Sequence, residues 1–110
     1  MLPDADRAVL SGGLGLDLAT QFHHAFERGI DGMVDDDLAF TLPWGFDLHE
    51  ITVPTMIWQG ELDLMVPLAH GQWFASNLPH VSVHLESGEG HLSVGVSSLE
   101  RMLDELVVIL

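Results

Sequence analysis

A mixed α/β chain, ordered strand, helix, strand, helix after a helical first half, is what three features of the sequence predict. Two β-rich runs, 53–59 and 81–86, bracket a segment of helical spacing, and a second apolar-periodic segment follows the later run. The earlier run is apolar nearly throughout, as in strands covered on both faces. Joined in this order, the pair forms a right-handed parallel β-α-β unit with a closing helix.

Each element has local signals. Asp4 ahead of Ala5–Leu10 suits an N-cap on a short helix, and Ser11-Gly12-Gly13-Leu14-Gly15 is expected to break it into a flexible turn. Leu18, Phe22, Ala25 and Phe26 recur at helical spacing, with Arg28 and Gly29 as stop signals, which predicts a helix over 17–29. Residues 31–50, with Asp35-Asp36-Asp37 and then Pro43 and Gly45, read as mostly loop with room for a helical turn. Pro67 opens a helix over 67–77 that carries Leu68, Trp73 and Phe74 on its apolar positions. Val96, Leu99, Met102, Leu103, Leu106 and Val107 outline one final helix, with Ser97 and Glu100 at capping-box spacing.

Composition removes several classes of function. The 110 residues hold 17 acidic against 3 basic side chains, a formal charge of −14. Nucleic acid is not an expected partner, because phosphate recognition needs clustered Lys and Arg, and the chain has only Arg7, Arg28 and Arg101. An anionic membrane surface is disfavoured for the same reason. No Cys is present, which removes disulfides, thiolate catalysis and Cys-ligated zinc and is compatible with a cytoplasmic location. No apolar run reaches transmembrane length, and the N-terminus carries acid where a signal peptide carries base. The apolar fraction of 47% is that of a folding chain.

In parallel sheets, chemistry gathers beyond the carboxyl ends of the strands. Two loops lie there, one holding Asp63 and the other His91. The segment Ile57-Trp58-Gln59-Gly60-Glu61-Leu62-Asp63-Leu64-Met65-Val66-Pro67 resembles the acid-bearing strand and loop of the α/β-hydrolase superfamily, an apolar strand followed by Gly-x-x-Asp and Val-Pro. Gly88-Glu89-Gly90-His91, 28 positions beyond Asp63, resembles the same family's Gly-x-Gly-His loop. The resemblance implies that 51–110 is the C-terminal β-α-β-α part of such a core, its strands the last two of an eight-stranded sheet. It implies that 1–50 is a cap-like or lid-like helical segment with a connecting loop.

The pair has a physical rationale of its own. A neutral imidazole removes a hydroxyl proton only when its other nitrogen is held as a donor, and a carboxylate opposite that nitrogen fixes the tautomer and stabilises the imidazolium that forms. Asp63 is the candidate orienter and His91 the candidate base. The bland alternatives are a turn or cap residue for Asp63 and a solvated loop histidine for His91. The family's nucleophile, a Ser within Gly-x-Ser-x-Gly, is missing: none of the seven serines lies between glycines at that spacing, and Ser11 before Gly12-Gly13 is a poor imitation. The resemblance implies no cofactor, since this chemistry uses protein groups and water. It places Trp44 and Phe46 in a cap, where they would contact a small-molecule substrate of the complete protein; core packing is the commoner fate of such rings.

His23 and His24 with the 35–37 acids read as a solvated helix face and an acidic loop, and His80 with His84 falls at strand spacing too long for one metal. No metal site is expected. The strand edge and apolar faces that would meet an absent core are expected to drive self-association as a homo-oligomer, opposed by the −14 charge. Two functions follow as expectations: a hydrolase fragment with the acid and histidine of a triad, or a non-enzymatic oligomerisation or binding module on the same fold.

Overall fold

Six helices and a two-stranded parallel sheet make up the chain, of which the computed structural model describes residues 2–109. In order these are α1 (Asp4–Leu10), α2 (Gly13–Phe26), α3 (Asp31–Phe40), a 3₁₀ turn (Leu48–Glu50), β1 (Thr55–Gly60), α4 (Leu68–Asn77), β2 (Val81–Glu86), α5 (Ser93–Ser97) and α6 (Leu99–Ile109). The class is α/β, and the β-α-β-α order holds with the last helix in two pieces.

β1 and β2 pair in register from Thr55 opposite Val81 to Gly60 opposite Glu86. The strand starts at Thr55 rather than 53 because Pro54 has no N–H to give the ladder; the Thr55 N–H donates to the His80 carbonyl at 2.8 Å. Neighbouring residues of a strand face opposite sides. On one side the buried Gln59 lies under Gly71 of α4 and its Nε2 donates to the Val66 carbonyl at 2.9 Å. On the other, Trp58 stacks on His84 at 3.8 Å and carries the Arg101 guanidinium of α6 at 4.8 Å from its ring centre. Glu105 brings Oε2 to 2.8 Å from His84 Nε2, off the line a hydrogen bond needs. Arg101 also donates to Glu86 at 3.0 Å. The sheet is therefore sandwiched between α4 and α6.

Four sequence expectations are corrected. Asp4 does not cap α1: it is the first residue within the helix, Pro3 precedes it, and no side-chain cap hydrogen bond forms. The glycine-rich stretch breaks the chain only at Ser11–Gly12, and α2 begins at Gly13, four residues before the expected start. Gly15 permits this, because a Cβ there would overlap the Leu10 carbonyl at the tight α1–α2 junction. Residues 31–40 form α3 rather than loop: Ile30, Val34 and Leu38 keep helical spacing, and the chain leaves the helix at Thr41, before Pro43. The final helix is interrupted at Ser98, whose φ of −105° and ψ of 0° end α5, so Ser98 rather than Ser97 precedes the first turn of α6.

Little apolar surface is covered. Val94 is the buried apolar core among the described residues, and α2 and α3 bury none of theirs. The accessible surface is 8079 Å², where a compact monomer of this mass exposes about 6,000 Å². The radius of gyration is 16.1 Å, against about 13 Å for a compact domain of this length. Among the described residues no helix is long and apolar enough to cross a membrane.

Gly60, the last residue of β1, lies against the chain that leads to His91, and a Cβ there would overlap the backbone carbonyls of Glu89 and Gly90. At Gly71 the clash is with the movable amide of Gln59. Gly60→Ala should therefore destabilise the chain by about 1–3 kcal/mol through overpacking, and by more than Gly71→Ala. Urea unfolding midpoints of the two variants, compared with the parent chain, check the order.

Candidate active site

The loop after β1 begins as an extension of the strand pairing. Glu61 N–H donates to the Glu86 carbonyl at 3.0 Å and Leu62 N–H to the Glu89 carbonyl at 2.8 Å, so this loop and the one after β2 leave the sheet tied together. Asp63 follows at once. Its Oδ1 accepts the N–H groups of Met65 and Val66, both at 2.8 Å, which closes the turn into Pro67 and α4. Its Oδ2 faces His91 Nδ1 at 2.9 Å.

The Asp63 carboxylate thus divides its contacts, one oxygen shaping the turn and the other meeting the imidazole. The Asp63 side chain is 5% exposed and that of His91 35%. Burial pushes the Asp63 carboxyl upward, but the Val66 N–H, the His91 ring and the Met65 N–H together outweigh it and hold the group below the ordinary aspartate value. An ionised Asp63 only accepts, so the shared proton sits on His91 Nδ1, and in the neutral ring Nε2 then carries the lone pair. An imidazole so held can take a proton from a hydroxyl and return it to a leaving group.

His91 is supported from below by a group that composition and motif gave no sign of. Asp6 of α1 is fully buried, and its carboxylate accepts the backbone N–H of His91 at 3.0 Å, of Leu92 at 3.0 Å and of Ser93 at 2.9 Å. The Gly90 N–H donates to Ser93 Oγ at 2.7 Å. Burial would raise Asp6, yet the Ser93, Leu92 and His91 N–H groups prevail and its carboxyl lies below the ordinary value. Gly90 is needed here because a Cβ would overlap the Asp6 carboxylate. The only sequence cue for Asp6 was an acid in the first turn of a short helix, which is unremarkable.

Asp63 and His91 share a hollow of about 260 Å³ with Ile57, Gln59, His70, Phe74 and Val94 among its walls. Trp44 and Phe46 are not brought to it. Trp44 stacks on Phe74 at 5.9 Å and on Phe46 at 6.0 Å and meets Trp73 edge-on at 6.2 Å, lining a neighbouring hollow of about 730 Å³. His70 and Phe74, four apart on α4, border both the Asp63–His91 hollow and an aromatic one of similar size beside Trp44. Ser11 spends its hydroxyl on the Ala8 carbonyl within its own turn. Among the described residues no three His, Asp or Glu side chains converge as a metal-binding group.

The lowered Asp63 value gives a signed pH effect. A carboxyl whose folded value is depressed contributes stability that is complete above the unfolded value of about 3.9 and is lost as the pH falls through the folded one. Between pH 5 and pH 3 the parent chain should therefore lose stability more steeply than Asp63→Asn, as urea midpoints measured across that range will show. Comparison with protein-family models, with curated proteins and with solved structures finds no match to this chain.

Proposed function

We propose that the chain is the acid-and-histidine part of an α/β-hydrolase catalytic domain, with Asp63 orienting His91 and His91 acting as general base and then general acid in hydrolysis of an ester, amide or related bond. The observation that carries this reading is the 2.9 Å contact between Asp63 Oδ2 and His91 Nδ1, made by side chains from the loops that follow two adjacent parallel strands. The motif resemblance supports it independently. The nucleophile and oxyanion donors belong to a segment outside residues 1–110, and the hollow beside His91, walled by Ile57 and Phe74, suits a small apolar group of a substrate.

The test joins this chain to the product of the coding sequence upstream of Met1, where an in-frame Gly-x-Ser-x-Gly is expected. The chain alone should hydrolyse a nitrophenyl ester negligibly, because removing one triad member collapses the others non-additively. The joined protein should give saturable turnover that His91→Ala abolishes and Asp63→Asn lowers on the order of 10⁴-fold. Saturable turnover by residues 1–110 alone, lost in His91→Ala, would contradict the missing nucleophile; indifference of the joined enzyme to Asp63→Asn would remove the pair from catalysis.

A second reading, a binding or oligomerisation module, is favoured by the excess of about 2,000 Å² of exposed surface over a compact monomer. That is of the order one partner contributes to a large, obligate interface. On either reading the chain should self-associate through the free edge of β1 or its apolar helix faces. Sedimentation velocity at micromolar concentration should show dimers or larger species, growing with added salt as the −14 charge is screened; a single compact monomer at all salt concentrations would refute this.

A further inference from the structure

We propose that Asp6 is a positioning residue for His91, acting through the backbone of the histidine loop. The inference rests on the reading of Asp63 and His91 as the proton-transfer pair and extends it to a carboxylate 85 residues away in sequence from His91. His91 is more than a third exposed at its side chain, and among the described residues its ring has one polar partner, Asp63. A ring so lightly held owes its place to its own backbone. That backbone is clamped at three successive N–H groups, His91, Leu92 and Ser93, by the two oxygens of Asp6, with Oδ2 on His91 and Oδ1 on the other two.

The clamp is built rather than incidental. Asp6 is 0% exposed, and its charge is tolerated because three backbone N–H groups are turned toward it. Ser93 Oγ accepts the Gly90 N–H and adds its own support to the carboxylate. Gly90 admits the carboxylate where any side chain would exclude it, and Gly60 admits the Glu89–Gly90 carbonyls in turn. The end of β1, the histidine loop and α1 thus interlock at atoms that leave no room for a Cβ. A shift of the loop by a fraction of an ångström would open the 2.9 Å contact to Asp63, whose other oxygen is fixed by Met65 and Val66 and cannot follow.

The conservative probe is Asp6→Asn, which keeps the volume and one acceptor oxygen for Leu92 and Ser93 but turns an amide NH₂ toward the His91 N–H. Proton NMR of the full chain should show a far-downfield His91 Nδ1–H resonance, assigned by its loss in His91→Gln and in Asp63→Asn. In Asp6→Asn that resonance should vanish, and the Asp63 carboxyl, followed by ¹³C titration, should move back toward the ordinary aspartate value while the amides of 55–60 keep their shifts. A merely structural Asp6 would leave both readouts unchanged in any variant that folds. Should Asp6→Asn not fold, Ser93→Ala, which withdraws only the hydroxyl, replaces it, and a weakened resonance is then the expected result. An undiminished resonance in whichever variant folds overturns the assignment of Asp6 and leaves the Asp63–His91 pair standing. A parent resonance that survives Asp63→Asn overturns the pair itself, and the role of Asp6 with it.

Discussion

Six residue pairs of backbone, from Thr55 with Val81 to Gly60 with Glu86, hold this chain in the form on which everything else depends. The pairing does not stop where the strands end. Glu61 and Leu62 continue to donate to Glu86 and Glu89, so the two loops that carry Asp63 and His91 depart as a bonded unit. With Val94 as the buried apolar core, hydrogen bonds and close glycine contacts position the site to a degree that hydrophobic packing ordinarily would. Parallel pairing also brings both loops to one edge, which an antiparallel hairpin of the same two strands would not.

The parts of the molecule that were legible in the sequence are those governed by short-range chemistry. Strand 81–86, the Pro67 entry to α4 and the Asp63 turn follow from β-branching, a fixed φ and an acceptor two or three residues ahead of free amides. The pairing of Asp63 with His91 was legible because the topology between them is a single crossover. Asp6 was not, because its three partners lie 85 to 87 residues away and nothing local distinguishes it from Asp4, which meets only Arg7. α3 was obscured by three consecutive aspartates of low helix propensity, although Ile30, Val34 and Leu38 kept the period. Trp44 and Phe46 show the limit of the resemblance: it placed them against a substrate, and they line a hollow beside the one that Asp63 and His91 share.

The exposed face and the site are two aspects of one architecture. Among the described residues β1 has a ladder partner on one edge only, and Phe22, Met33, Leu38 and Leu103 stand more than half exposed on the outer faces of their helices. Such surface is costly in water, and large contiguous patches of it are rare on monomeric proteins. The polar face of the sheet behaves differently. Trp58 stacks on His84, Arg101 lies over the indole and pairs with Glu86, and Glu105 approaches His84, so α6 is docked through a mixed network that still leaves the Trp58 and His84 Nε atoms without hydrogen-bond partners among the described residues.

The division of Asp63 between its two oxygens has a mechanical corollary. Because the Met65 and Val66 amides seize one oxygen, the plane of the carboxylate is set by its own loop whether or not an imidazole is present. The socket keeps its aim when empty. Under the proposed function the ring is then the moving part: it would swing out to hand on a proton and return to an acceptor that has not turned in its absence. A glutamate, one methylene longer, would lose the short reach to the amides two and three residues ahead, and with it the stationary half of the hinge.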